Sequence, residues 1–322
     1  KQADIIKKHA VDGYLYGRVG EDHFVVIADE DTFNEEYLYE CRETLQNVLS
    51  DSVYNVRVCF GIYRTDNMNE SLSFMCDKAS FAVASIKDDT HSFIAYYDDT
   101  MLEAAIKYKT IVDEFDDAIK AGEFKMYLQP QISAKTRRLT GAEALVRRIK
   151  PDGTIISPID FIPVYEKSGL ISRLDRYIWE QAAAKLGEWK KAGINMSISV
   201  NISPKDFYYI DIFNTFAGLI KKYDIEPSNL KIEITETTIM SDVPNLMGEL
   251  EELRKAGFTL EMDDFGSGYS SLNMITELPI DILKLDMRFI QAKQKPQSTI
   301  DMIKFVIDLA KKLDFEVIAE GV

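Results

Sequence analysis

Two aspartates, Asp263 and Asp264, stand side by side at the end of a strand-like run over residues 258–262. A glycine-hinged stretch, Gly266-Ser267-Gly268-Tyr269-Ser270-Ser271-Leu272, follows one residue later. Adjacent carboxylates at a strand end repel each other unless a cation neutralises them, and a divalent metal ion is the natural partner. Glycines on either side of Ser267 let the backbone turn sharply and come close to a ligand. Asp, Gly and Ser are also ordinary turn residues, so a solvated turn is the plain alternative.

The rest of the sequence weighs against the plain alternative. Oxygen donors and cations recur at the ends of strand-like runs: Glu143 with Arg147, then Asn201, Glu233 with Glu236, Lys284 with Asp286, and Glu320. Singly, each reads as a helix cap or a solvated charge. Gathered on one rim without cations, the carboxylates would repel one another by several kcal/mol. Glu143, Asn201, Glu233 and Asp263 can supply oxygens to one ion. Asp263 can bridge to a second ion that also uses Asp264 and the Glu320 side. Paired cations about 4 Å apart activate a water and stabilise both oxygens of an in-line phosphoryl displacement. Lys284 then orients or deprotonates that water, or neutralises the developing charge. Arg147 suits a phosphate oxygen. This chemistry is metal-dependent hydrolysis of a phosphoester, with the substrate left open.

Composition removes several other chemistries. All three cysteines (Cys41, Cys59, Cys76) and all three histidines (His9, His23, His91) lie in the first hundred residues. Beyond His91 there is no serine–histidine triad, cysteine–histidine pair or histidine-bound zinc to build. What remains are carboxylates, amides, lysine and arginine, a set suited to magnesium or manganese. The 53 acidic residues outnumber the 38 basic ones for a net charge of −15, which argues against a nucleic-acid polymer as partner. Bound cations would still let a small anion approach. An odd number of cysteines without paired spacing fits a reducing, cytoplasmic setting. No segment approaches the ~18 apolar residues of a membrane span, so no membrane contact is expected within this fragment. The chain opens on Lys1 rather than methionine, as an excised piece would, and an upstream membrane anchor would then be invisible.

The elements that must carry these residues follow from periodicity. Residues 1–97 alternate short strands (24–28, 56–62) and helices (35–49, 71–85). A helix is expected over 100–121, within a connecting segment 98–121. There Met101, Ala105, Tyr108, Val112, Phe115 and Ile119 form one apolar stripe. A helix lying on a domain surface is the simpler reading; pairing with its twin in a dimer is the alternative. After Gly122, strands are expected at 124–132, 139–147, 196–202, 230–235, 258–262, 282–285 and 315–319. Helices are expected at 171–192, 204–223, 243–256 and 299–313. Repeated βα units imply a mainly parallel sheet, and seven strands in about 200 residues favour a (β/α)8 TIM-type barrel over a doubly wound open sheet. The first two strands, joined by a short connection, are expected antiparallel.

From about residue 113 onward these motifs resemble the EAL-domain family of cyclic-di-GMP phosphodiesterases. The signature is Glu143-Ala144-Leu145, continuing to Arg147. Gln129-Pro130, Asn201-Ile202-Ser203-Pro204, Glu233-Ile234-Thr235-Glu236, Asp263 through Leu272, Leu278-Pro279-Ile280-Asp281, Lys284-Leu285-Asp286 and Ala319-Glu320-Gly321-Val322 follow the family pattern in order. The tripeptide alone arises often by chance; the ordered set does not. The resemblance implies a barrel over 122–322 that binds two Mg2+ or Mn2+ ions and opens the cyclic dinucleotide to linear pGpG, lowering a bacterial second messenger. It implies metal binding by Glu143, Asn201, Glu233, Asp263, Asp264 and Glu320. Gln129, Leu145 and Arg147 would contact substrate, and Lys284 and Asp264 would act in catalysis. Glu236 would hold the loop from Asp264 to Leu272. A homodimer through that loop and its following helix is implied as well.

There are departures from the family. Arg148 stands where tryptophan is usual and Tyr165 where alanine is common, changes expected to bear on substrate fit. The sequence stops after its seventh barrel strand. An eighth strand is missing, so the natural chain is expected to continue past Val322. Residues 1–97 resemble the back half of a GGDEF domain, a cyclic-di-GMP synthase with an α+β fold. The signature here reads Gly20-Glu21-Asp22-His23-Phe24, so a needed glycine is Glu21 and a metal-binding acid is His23. The inhibitory Arg-x-x-Asp positions fall on Val11 and Tyr14. Synthase activity is not expected of this partial, degenerate unit. A catalytically silent cyclic-di-GMP receptor or scaffold is the rival reading of the whole chain. An unrelated barrel enzyme with paired metals is a third.

Overall fold

The structure, a computed structural model, describes residues 14–20, 23–49, 57–65, 69–87, 91–240, 245–265, 278–286 and 296–320, with positions 3, 5, 6, 67 and 89. The chain divides into two units, Lys1–Thr110 and Ile111–Val322. No described helix is long and apolar enough to cross a membrane.

In the first unit, β1 (Leu15–Arg18) and β2 (Phe24–Ile27) pair antiparallel. The short strands β3 (Phe60–Ile62) and β4 (Ile94–Tyr96) pair parallel. Helix α1 spans Glu36–Leu49, and α2, Leu72–Ser85, lies between β3 and β4 in sequence. Ser71 starts α2 by accepting the Phe74 N–H, the usual way a serine satisfies a free helix-end donor. Tyr14 is buried and its hydroxyl donates to the Thr32 carbonyl at 2.7 Å, so it serves the packing of this unit. Glu21, Asp22, Val11 and residues 51–56 lie outside the described residues. The helix expected over 100–121 is divided at Glu114 into α3 (Asp99–Asp113) and α4 (Phe115–Lys120).

The second unit is built on one curled sheet. Its strands are β5 (Phe124–Ile132), β6 (Leu139–Ile149), β7 (Ile155–Ile156), β8 (Ser197–Ile202), β9 (Leu230–Thr235), β10 (Leu260–Phe265), β11 (Ile282–Leu285) and β12 (Glu316–Ala319). They lie in the order β12-β11-β10-β9-β8-β6-β5, with β7 also on β6. From β6 to β12, strands adjacent in this order are parallel; β5 and β7 run antiparallel to β6. The turn from β5 to β6 explains the exception. Ser133 N–H donates to Arg138 O at 2.9 Å and Arg137, at φ 58°, donates to Ser133 O at 2.8 Å. So short a connection joins only antiparallel strands. Gly141 lets β6 come up to β8, since a Cβ there would stand 2.5 Å from Ser197 Oγ.

Alternation along the parallel strands sorts side chains onto two faces. Ile198, Val200, Ile232, Ile234, Leu260, Met262, Leu283 and Leu285 pack into the core. That core also takes the apolar sides of α5 (Pro158–Ser168), α6 (Ile171–Lys191), α7 (Asp206–Tyr209), α8 (Ile212–Tyr223), α9 (Glu236–Met240), α10 (Leu246–Lys255) and α11 (Pro296–Lys312). The opposite face is polar. One helix was expected over 204–223, but the chain breaks between α7 and α8. Ile210 is extended there, and Asp211 caps α8 by accepting the Asn214 N–H at 3.0 Å. Among the described residues, β5 and β12 are the two ends of the sheet.

Candidate active site

The polar face of the sheet converges on Lys284. From the middle of β11, its Nζ lies 3.0 Å from Glu143 Oε2 on β6, 3.4 Å from Asp263 Oδ1 on β10 and 2.8 Å from Glu320 Oε1 beyond β12. It also bonds Glu233 on β9. Strands lie about 4.8 Å apart, so β6 and β12, five steps apart in sheet order, would be roughly 24 Å apart if the sheet were flat. One ammonium reaching carboxylates on both shows how tightly the sheet curls. Asn201, at the end of β8, donates from Nδ2 to Glu143 Oε1 at 3.5 Å and lies opposite Glu233 in the ladder. Glu143, Asn201, Glu233, Asp263, Lys284 and Glu320 are thus brought together from six strands or their ends.

Lys284 is 1% exposed and Glu233 fully buried, so the electrostatics are strong. Burial alone would lower the lysine, but the charges of Glu233, Glu143 and Asp263 outweigh it and push Lys284 above the ordinary lysine range. Burial first, then the neighbouring Glu143 and Asp263, raise Glu233 well above the usual carboxylate range against the pull of Lys284. Burial likewise raises Glu320. Four carboxylates face one ammonium, which leaves room for further positive charge. Glu233 Oε2 is enclosed without a hydrogen-bond partner, and an enclosed carboxylate oxygen of that kind calls for a cation or a proton. An all-oxygen donor set suits Mg2+ or Mn2+. Among the described residues, no three acidic side chains already form a metal cage; the carboxylates are arranged around the ammonium instead.

The remaining expected site residues are Asp264, Glu236, Gln129, Leu145 and Arg147. Asp264 has a φ of 56°, and the β10–β11 register shifts between Met262 and Phe265. Irregularities of this kind re-aim a side chain at a strand end. Glu236 opens α9 and is 1% exposed; residues 266–272 of the loop it was expected to hold lie outside the described residues. Gln129 stands directly opposite Glu143, Leu145 opposite Tyr127 and Arg147 opposite Lys125. By alternation Leu145 and Arg147 share the face of Glu143. Arg147 Nη1 donates to the Val146 carbonyl at 2.7 Å. Asp281, in the matched Leu-Pro-Ile-Asp motif, has a structural role. It accepts the Leu260 N–H and the Arg254 Nε–H, both at 3.0 Å.

The structure corrects the expectation for Arg148 and Tyr165. Arg148 leaves β6 on the face opposite Glu143, is 2% exposed, and donates to Glu123 at 2.9 Å and to Glu114 at 2.7 Å. Tyr165 is fully buried in a ring cluster with Phe115, Phe124 and Phe161, and burial pushes its hydroxyl up to about 12. Both belong to packing behind the sheet rather than to substrate fit, because strand alternation turns Arg148 away from Arg147. Arg148→Met is therefore expected to lower stability by about 2–3 kcal/mol, less than a fully enclosed pair because Glu114 is partly exposed. Turnover per folded molecule should stay unchanged. Urea denaturation and an activity assay on the same sample check both halves.

Reading single strand ends missed a second polar layer beneath the site. Lys231 and Glu261 pair at 2.9 Å, two residues before Glu233 and Asp263, with Ser199 buried nearby in the ladder. The period of two in each strand carried that signal.

Residues 112–322 match the EAL domain. The chain belongs to the EAL-domain family. Among its relatives, the bifunctional diguanylate cyclase/cyclic di-GMP phosphodiesterase MucR of Pseudomonas aeruginosa is 26% identical over 312 residues, covering 95% of this chain and 45% of that protein. The cyclic di-GMP phosphodiesterase PA2567 of the same organism is 32% identical over 229 residues, covering 71% of this chain and 39% of that protein. This EAL chain thus spans less than half the length of either. The PaMucR phosphodiesterase, solved as a c-di-GMP complex, superimposes with a TM-score of 0.62 at 29% identity over 66% of this chain and 87% of that one.

Proposed function

We propose that this EAL domain hydrolyses cyclic-di-GMP to linear pGpG with two divalent cations, Mg2+ or Mn2+. The observation that carries the reading is the convergence of Glu143, Asn201, Glu233, Asp263 and Glu320 around Lys284, in a family whose relatives include cyclic di-GMP phosphodiesterases. Glu143, Asn201, Glu233, Asp263, Asp264 and Glu320 would hold the cations, which when bound lower the pKa of a water and stabilise phosphoryl oxygens. Lys284, held charged by its neighbours, keeps that water oriented and offsets charge developing at phosphorus. Gln129, Leu145 and Arg147, on the face of Glu143, contact the dinucleotide. Glu236, buried at the start of α9, supports the loop after Asp264. Water oxygen joins phosphorus, the P–O3′ bond breaks, and the 3′ oxygen leaves as a hydroxyl with a proton.

The first unit fits a degenerate GGDEF-like half with a regulatory or dimer-forming role; the MucR alignment runs through it. A homodimer through the loop after Asp264 and its following helix, and a cytoplasmic setting for the three free thiols, complete the reading. The rival reading is a silent cyclic-di-GMP receptor, which binds the dinucleotide without turning it over. The test is incubation of the protein with cyclic-di-GMP, with excess chelator and then with Mg2+ or Mn2+ added back. Turnover that stops with chelation and returns with metal supports the enzyme. Binding without turnover under every condition supports the receptor.

A further inference from the structure

Helix α6 buries Ile171, Leu174, Ile178, Ala182 and Leu186 in the core. Three polar side chains accompany that face. Ser172, Asp175 and Trp179 follow at spacings of three and four, which stacks them along one side of the helix. All three serve the end of β8. Trp179, 1% exposed, donates its indole Nε1–H to the backbone carbonyl of Asn201 at 2.9 Å. Two residues past Asn201, the Ser203 N–H donates to Asp206 Oδ2 at 2.8 Å. Asp206 is fully buried, and Asp175 and Ser172 lie against its carboxyl.

The hydrogen-bond inventory of this cluster is incomplete in an informative way. Asp206 Oδ1 is enclosed without a well-aligned donor, with Ser172 beside the carboxyl. A buried carboxylate oxygen needs a donor, and the Asp175 carboxyl is the group beside it. Glu166, on α5, adds a further negative charge, with Lys205 beside Glu166 the cation in the group. Burial first, then the charge of Asp206, hold Asp175 well above the usual carboxylate range. Burial raises Asp206 too, but Ser172, the Ser203 N–H and Asp175 pull it back. Of the two carboxyls in contact, Asp175 is the more strongly raised.

We infer that Asp175 and Asp206 are positioning residues which, together with Trp179, fix the turn 203–206 and hold Asn201 at the rim of the site. The inference rests on the role proposed for Asn201 in hydrolysis. The chain of contact is short: Asp175 to Asp206, Asp206 to Ser203, and Trp179 to Asn201 itself. Neither aspartate touches the carboxylates around Lys284. Their effect on catalysis therefore runs through the backbone that carries Asn201.

The test uses the full chain and the variants D175N and D175A. The asparagine amide can still donate to Asp206, whereas alanine cannot. D175A is expected to lower kcat about tenfold with KM little changed, as loss of a supporting contact behind a ligand does, and D175N to restore it. The indole N–H resonance of Trp179, told apart from Trp189 with W189F, should shift in D175A and stay in place in D175N. The pH sign is also fixed. A carboxyl raised on folding contributes stability that is present at acid pH and lost as pH rises through the raised value. D175N removes that loss and should gain in melting temperature relative to wild type as pH rises. D175N as damaged as D175A, or a Trp179 resonance unmoved in D175A, would overturn the inference. If wild type shows no turnover at all, the hydrolytic reading fails, and the resonance and melting comparisons still decide the positioning role.

Discussion

Lys284→Met should destabilise the metal-free protein by about 3–5 kcal/mol at neutral pH, the loss expected when one partner of a buried ion pair is removed. Lys284 is 1% exposed and lies within 3.4 Å of Glu143, Asp263 and Glu320, with Glu233 also bonded. Without the ammonium, the fully buried Glu233 carboxylate has no counter-charge among these groups, and its oxygen Oε2 is already without a donor. The penalty should shrink as pH falls, because protonating the carboxylates removes the charge that Lys284 neutralises. It should also shrink when Mg2+ or Mn2+ is added, since a ligand that binds only the folded state stabilises it. Urea melts across pH, with and without metal, check all three trends. Turnover should fall by at least ~10²-fold, the scale of removing one preorganised electrostatic group. Dinucleotide binding should be kept better than turnover. A binding loss as large as the turnover loss would recast Lys284 as a phosphate anchor.

Glu143→Ala should have the opposite balance. Glu143 is one of four carboxylates on Lys284, and the other three stay in place. Its removal takes one negative charge out of a crowded group, so the metal-free protein should lose no more than about 1 kcal/mol. It does take away an oxygen assigned to metal and the acceptor of the Asn201 amide. Hydrolysis should fall by roughly 10²–10³-fold or more. Denaturation and steady-state kinetics on the same preparation separate the two effects. A wild-type rate with metal present would mean that the assigned shell is wrong.

Much of the fold could be read from local pattern. Strands at 124–132, 230–235 and 282–285 are found at those bounds; in the first two, apolar residues at every second position mark one buried face. The five residues that gather with Lys284 were legible as polar positions toward the ends of strand-like runs, since a parallel curled sheet puts its strand ends on one rim. Less could be read where one residue's partner is distant in sequence. Nothing near Arg148 announces Glu114 and Glu123, and the choice of face there depends on register. Asp175 and Trp179 read as ordinary members of an amphipathic helix until the end of β8 is set against them. The break between α7 and α8 hid behind an unbroken apolar period, because Asp211 suits a cap and a helix interior less distinctly than proline or glycine would.

If a water activated in this carboxylate and lysine site cleaves the cyclic dinucleotide, that water's oxygen ends up in the product. Mass analysis of the product formed from cyclic-di-GMP in 18O-labelled water, with Mg2+ or Mn2+ present, tests it most directly. Linear pGpG carrying a single 18O in its 5′ phosphate is the expected product. Recovery of intact, unlabelled cyclic-di-GMP from protein that binds it would contradict the account and leave a receptor in its place.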